Sequence, residues 1–189
     1  MSARPSHAAP SRVRIIGGEW RGRNVRVASR PGLRPTPDRV RETLFNWLGQ
    51  RLEGLACLDL FAGSGVLGLE AASRGALRVS FVERDRDAWL ALGEAAARLD
   101  GRRRLEVIHA DALQFLRQCE SRYDIVFLDP PYGEGWLARI WAPLARVVVP
   151  AARVYAEAER AIEPPAGWEM LRSARAGRVH YHLLCAGAS

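Results

Sequence analysis

Apolar and polar positions along the chain follow two regimes. Up to residue 50 the apolar residues are spread among arginines and glycines. Arg12 to Ile16 and Asn24 to Ala28 alternate, with Gly17-Gly18 and Gly22 between them, which predicts a β-hairpin. Thr36-Pro37 then predicts a helix start, with Thr36 as N-cap and Pro37 in the first helical position. Val40, Leu44, Trp47 and Leu48 recur at helical spacing and predict its buried face. From residue 55 short apolar runs alternate with amphipathic stretches. Strands are expected over 55–61, 78–83, 105–109, 124–128, 154–158, 168–171 and 179–184. Helices are expected over 66–73, 85–99, 112–119 and 139–144. Apolar strands separated by helices predict a parallel, doubly wound α/β sheet. Such sheets bind ligands at the carboxyl ends of their strands. Residues 1–11 read as a loose tail, 12–50 as a hairpin-and-helix extension, and 51–189 as the α/β domain.

A chain of 189 residues, 48% apolar and 26% charged, has an ordinary globular balance, which excludes a largely disordered polymer. Its apolar runs, such as Val147-Val148-Val149, are too short to cross a bilayer, and the start of the chain lacks the apolar stretch of a secretory signal. Charge says more. All 28 basic side chains are arginines. The first 50 residues hold 10 of them against Glu19, Asp38 and Glu42, whereas residues 51–189 are balanced at 18 and 18. A basic segment on a neutral domain points to a polyanionic partner. A solvated arginine-rich tail reflecting base composition is the other reading, and composition leaves both open. The absence of lysine excludes Schiff-base chemistry. Cys57, Cys119 and Cys185 form no C-x-x-C pair, so neither a disulfide framework nor a thiolate metal site is predicted, and a reducing cytoplasm is expected.

The candidate chemistry lies at two predicted strand ends. Asp59-Leu60-Phe61-Ala62-Gly63-Ser64-Gly65-Val66-Leu67-Gly68 places G-x-G-x-x-G between a strand and a helix. Glycines there allow a tight turn and a close approach of ligand to backbone. Glu83, 20 residues after Gly63, closes the next strand, where a carboxylate can accept from both ribose hydroxyls. The pair points to an adenosine-type cofactor, either a dinucleotide or S-adenosylmethionine. Asp59 favours the second, because an acid before the turn suits an ammonium and repels a pyrophosphate. Asp111 after the third strand is either an adenine contact or a solvated loop acid.

The second motif, Asp129-Pro130-Pro131-Tyr132, follows a very apolar strand. Tandem prolines stiffen the turn and remove two backbone donors, leaving the Asp129 carboxylate and the Pro130 carbonyl as acceptors. Tyr132 adds a flat face. This arrangement suits an exocyclic nucleobase amine, whose lone pair is delocalised into the ring. Two acceptors can hold its N–H groups and aim the nitrogen at a methyl donor, so positioning and preorganised electrostatics carry the reaction. The base must leave its stack to enter such a pocket.

Arg14-Ile15-Ile16-Gly17-Gly18, Trp20-Arg21-Gly22-Arg23, the block from Arg34 to Leu48, the Asp59–Gly65 turn and Asp129-Pro130-Pro131-Tyr132 together resemble the RsmD family, bacterial guanine-N2 methyltransferases of 16S ribosomal RNA. The resemblance spans residues 12–185, with Pro37 its one departure. It implies a class I methyltransferase fold with a seven-stranded, mostly parallel sheet, S-adenosylmethionine as donor, and 16S rRNA in an assembling small subunit as partner. It implies no membrane and no metal. It supports cofactor contacts from Asp59, Phe61, Ala62, Gly63, Ser64, Gly65, Glu83, Arg84, Asp111 and Ala112. It also places Thr36 and Arg39 near the methionine end. Catalysis is expected from Asp129, Pro130, Pro131 and Tyr132.

Arg14, Arg21, Arg23 and Arg26, with Arg34 and Arg41, are expected to face RNA phosphates; for Arg41 a solvated helix surface is the competing reading. Trp20 either stacks on RNA or is buried. His180 and His182, two apart on a strand, are expected to form a surface or RNA-facing pair, with no third ligand for a metal. Trp89, Trp136, Trp141 and Trp168 are expected to be packing residues. Two other functions stay open: an adenine-N6-type methyltransferase on DNA or another RNA, and a non-catalytic RNA-binding assembly factor.

Overall fold

The computed structural model describes residues 11–27, 36–99 and 104–187. Residues 1–10 of the predicted tail and Arg34 therefore lie outside the described residues, while Ser11 belongs to the first strand rather than to the tail. Strands β1 (Ser11–Arg14) and β2 (Asn24–Val27) pair antiparallel as a separate ribbon. Helix α1 (Asp38–Leu48) follows, and the alternating domain then runs β3 (Ala56–Asp59), α2 (Val66–Ser73), β4 (Arg78–Glu83), α3 (Arg86–Arg98), β5 (Leu105–His109), α4 (Ala112–Gln118), β6 (Tyr123–Leu128), α5 (Trp136–Leu144), β7 (Val148–Ala158), β8 (Trp168–Ala176) and β9 (Val179–Ala186).

The main sheet has the order β5-β4-β3-β6-β7-β9-β8. The first five strands in that order are parallel, and β9 inserts antiparallel between β7 and the edge strand β8, which returns to the common direction. This is the expected seven-stranded class I methyltransferase arrangement. Strand order reverses between β3 and β6, so the crevice beyond their carboxyl ends is the ligand position this topology favours. No helix among the described residues is long and apolar enough to cross a membrane.

Each face of the sheet carries its own core. One packs Leu44 and Phe45 of α1, Leu69 of α2 and Leu92 of α3 against Phe81 and Phe127. The other packs Leu116 of α4 and Ile140 and Leu144 of α5 against Leu58 and Val126. Strand β3 is buried at every position, as a central parallel strand must be. Gly68 shows how tightly α2 sits on the sheet: a Cβ there would come within 2.3 Å of the Phe81 ring.

Three local expectations are corrected. Thr36 does not cap α1; its hydroxyl donates instead to the Glu157 carboxylate at 3.2 Å, and Pro37 occupies the cap position without a side-chain bond. The helix starts one residue later than expected, with the Pro37 carbonyl accepting from the Val40 (3.0 Å) and Arg41 (3.1 Å) amides, which leaves Thr36 outside the cap and its hydroxyl proton for the buried carboxylate. Strand β7 begins at Val148 rather than 154, because Pro150 and Ala151 (φ 60°) shift the register and hide the strand's periodicity. The exposed β8 runs on to Ala176, since pairing with β9 rather than apolar alternation holds it.

Arg41 is the largest departure. The expected RNA contact is fully buried. Its guanidinium pairs with Glu70 (2.6 Å) and Asp38 (2.5 Å), and donates to the Thr36 carbonyl (3.2 Å) and the Arg14 carbonyl (2.9 Å). Glu70 also accepts from the Ile16 amide (2.6 Å) and lies 3.6 Å from Arg74. One buried cation thus ties the hairpin to α1 and α2, where phosphate cannot reach it. Four of the five guanidinium donors find acceptors, on the hairpin, on α2 and at the start of α1, and such dense pairing is the condition under which a buried ion pair is tolerated. Trp20 is buried too, its amide donating to the Ser73 hydroxyl (2.8 Å), so the packing reading holds for it.

Candidate active site at the carboxyl edge of the sheet

Four carboxylates close four parallel strands on one edge: Asp59 at the end of β3, Glu83 at the end of β4, Asp129 just beyond β6 and Glu157 near the end of β7. The glycine turn between β3 and α2 bends through left-handed Gly63 (φ 50°) and Gly65 (φ 71°). A side chain at Gly65 would also come within 2.3 Å of the Leu92 methyl, so any other residue here is strained by the backbone and must displace that side chain. Glu83 holds the turn from outside: one oxygen accepts from the Gly63 amide (2.8 Å), the other from the Asp85 amide (2.6 Å). Each oxygen keeps a second lone pair for a ligand. Ser64 and Ala62 are buried within the turn, and the Phe61 ring meets the Trp136 edge at 5.3 Å.

Asp59 is buried and accepts from the Gly68 amide at 3.0 Å. Burial raises its pKa to about 7, the Gly68 bond opposing the shift and the Glu83 charge adding to it. Asp111 caps α4, one oxygen accepting from the Leu113 (2.9 Å) and Gln114 (3.2 Å) amides, with Ala112 buried behind it. Arg84 is exposed, 3.6 Å from Glu134 and over the Trp136 ring. Arg39 is exposed on the first turn of α1.

Asp129-Pro130-Pro131-Tyr132 lies against this turn. The Leu60 amide donates to the Phe127 carbonyl (3.1 Å), which fixes the two loops side by side at the strand-order reversal. Asp129 stands well above the ordinary carboxylate range, because of burial first, then the Glu157 and Asp59 charges. Tyr132 is 46% exposed, and burial with the Asp129, Glu157 and Glu159 charges keeps its phenol protonated. The Gly133 amide donates to Glu159 (3.2 Å), anchoring the loop to the end of β7.

A ring of acids in an apolar setting suits a ligand with two cationic centres, a sulfonium and an ammonium, and repels a pyrophosphate. The donor set therefore fits S-adenosylmethionine rather than a dinucleotide.

Comparison with known proteins agrees. A family model described as Conserved hypothetical protein 95 matches residues 13–185. Ribosomal RNA small subunit methyltransferase D of Escherichia coli (strain K12) is 43% identical over 190 residues, covering 95% of this chain and 93% of its own. The Haemophilus influenzae protein of the same name is 41% identical, covering 93% of this chain and 94% of its own. The solved structure of Escherichia coli yhhF superposes with a TM-score of 0.86 at 42% identity, covering 95% of this chain and 100% of that one.

The chain belongs to the RsmD family.

Within this RsmD-family fold the hairpin arginines face water: Arg14, Arg21, Arg23 and Arg26 are all exposed. Arg21 also lines a depression of about 440 Å³ with Gly18, Asn46, Gln50 and Arg74. The turn of the hairpin is pinned to the end of α2, where the Glu19 amide donates to the Ser73 carbonyl (2.7 Å). His182 corrects another expectation. It is fully buried, contacts the Ile162 amide and the Ala156 carbonyl at 3.4 Å, and is held below the ordinary imidazole range by burial. It is a core histidine, with only His180 partly exposed beside it.

Sequence reasoning missed Glu157 and Tyr155. Glu157 is 5% exposed and accepts on Oε1 from both Tyr155 (2.8 Å) and Thr36 (3.2 Å). The available signal was an acid near the end of an apolar strand, the same signature that marked Glu83.

Proposed function

We propose that this protein transfers a methyl group from S-adenosylmethionine to the exocyclic N2 amine of a guanine in 16S rRNA of an assembling small ribosomal subunit, in the cytoplasm. The observation that carries the reading is the adjacency of two loops at the β3/β6 crevice, the glycine turn gripped by Glu83 and the Asp129-Pro130-Pro131-Tyr132 loop. The names of the E. coli and H. influenzae relatives support the substrate.

Glu83 would hold the ribose hydroxyls, Asp111 the adenine amine, and Asp59 the ammonium. Phe61, Ala62, Ser64 and Gly65 would line the cofactor, with Arg39 and Arg84 at the mouth. Thr36 serves the cofactor end indirectly, through Glu157. When bound, S-adenosylmethionine supplies an electrophilic methyl on sulfur. Asp129 and the Pro130 carbonyl would accept from the two N–H groups of the amine and turn its lone pair toward that carbon. Tyr132 would stack on the base, and Pro131 keeps the loop rigid. The methylated nitrogen would shed its surplus proton toward Asp129 or water. Arg14, Arg21, Arg23 and Arg26 would hold the RNA backbone through contacts that carry no sequence information.

Methyl incorporation into 30S particles, naked rRNA and DNA, followed by nucleoside mass spectrometry, tests this. N2-methylguanosine in the ribosomal substrate is the expected product. N6-methyladenine in any of them overturns the guanine reading, and failure to bind S-adenosylmethionine in calorimetry turns the protein into an RNA-binding assembly factor.

A further inference from the structure

Beside Asp129 the site holds a second acid that the reaction as described does not use. Strands β6 and β7 are parallel neighbours with Leu128 opposite Ala156, which brings Asp129 and Glu157 together at the strand ends. Glu157 is 95% buried in a wall of its own making: the Tyr155 and Thr36 hydroxyls both donate to Oε1. Oε2 accepts no hydrogen bond from any described residue. Oε2 is not sealed from water, since Arg74 Nε is the one buried side-chain polar atom without a partner among the described residues, so a donor on an entering base can reach it, and once the base displaces water that acceptor must be paired. Two hydroxyls on one oxygen also fix the direction of the other, which is how a site preorganises a reader rather than a structural prop.

Guanine presents three N–H donors in a row on its Watson–Crick edge, two on N2 and one on the adjoining N1. Asp129 and the Pro130 carbonyl account for N2. We propose that Glu157 reads the N1–H of the target guanine through Oε2 and thereby rejects purines whose N1 is an acceptor. The inference rests on the guanine-N2 reading above. Its logic is that of a buried polar group left unpaired by the wrong substrate, the situation that yields large discrimination. Adenine is refused twice, since its N1 lone pair would face a carboxylate and its amine lies on C6.

The test uses 2-aminopurine, which keeps the C2 amine but has a lone pair at N1. Small subunits are reconstituted with rRNA carrying guanine or 2-aminopurine at the methylated position, and kcat/KM is measured for wild type and Glu157→Gln. The glutamine keeps the shape of the site and can donate to an N1 lone pair. We expect it to lose guanine activity and to reduce the guanine-to-2-aminopurine ratio by about tenfold or more. A ratio unchanged from wild type, with both substrates slowed alike, overturns the inference and leaves Glu157 a structural acid. Wild type that methylates no guanine at all overturns the parent reading instead. Calorimetric binding of S-adenosylmethionine and a thermal melt confirm that the variant is folded. Should the glutamine fail to fold, Tyr155→Phe loosens the same carboxylate, and an unchanged ratio there overturns the inference equally.

Discussion

The carboxyl edge of the sheet and the N-terminal hairpin hold opposite charge in opposite ways. At the edge Asp59 and Glu157 are buried and Asp129 is half-buried beside them, and desolvation lifts all three above the ordinary carboxylate range. On the hairpin Arg12, Arg14, Arg21, Arg23 and Arg26 are exposed on a two-stranded ribbon. Desolvated charge is costly, short in range and selective for a ligand that fits it. Solvated charge is inexpensive, long in range and screened by salt. The first suits a small cationic donor and a base amine; the second suits a phosphate backbone. Arg41 joins the two regions. It comes from the basic segment yet is buried like the acids, and it binds the hairpin to α1 and α2.

Breaking that joint is expected to have the largest effect. Arg41→Ala leaves Glu70 buried without its closest cation and should cost about 3–5 kcal/mol of stability. Chemical denaturation checks it, and a loss below 1 kcal/mol would show the network to be incidental. Next comes Asp129→Ala, expected to lower methylation about 10²–10³-fold while calorimetry still detects cofactor binding. Equal turnover by both proteins refutes the role given to this acid.

Asp59 gives a pH test of the buried region. Its folded pKa of about 7 exceeds the ordinary 3.8, so the folded state holds an extra proton between those values and stability falls as pH rises through that window. Asp59→Asn should remove this slope and raise the melting temperature at pH 8 relative to wild type. A cationic donor needs the ionised acid, so wild-type affinity for S-adenosylmethionine should fall by up to about tenfold per unit as pH drops below 7. A flat binding profile would separate Asp59 from the ammonium. The smallest effects belong to the hairpin. Arg21→Ala or Arg23→Ala should weaken RNA binding modestly and reduce the slope of log affinity against log salt by roughly 0.7–0.9 each. An unchanged slope removes that arginine from the RNA interface.

The strand–helix alternation, the glycine turn and the Asp129–Tyr132 loop were legible because each is written in neighbouring residues. Helix α2 and strands β4 and β5 fall where apolar spacing put them. Glu157 was not legible in the same way. Its partners Thr36 and Asp129 come from distant parts of the chain, the Thr36 bond spanning 121 residues. Strand β8 was legible only as far as Leu171, because the order of its second half comes from β9 rather than from its own pattern.

Local spacing thus determined the elements, the glycine turn and the Asp129–Tyr132 loop, because hydrophobic period, turn chemistry and strand-end acids act over a few residues. Tertiary structure alone decided which charges meet water. Two arginines of one basic segment, Arg39 and Arg41, are identical in kind and two positions apart. One is exposed, and the other is enclosed by Glu70, Asp38 and the Arg14 carbonyl. Asp38 is a near neighbour, but Glu70 and the Arg14 carbonyl come from 29 and 27 residues away, and no reading of neighbours along the sequence contains them.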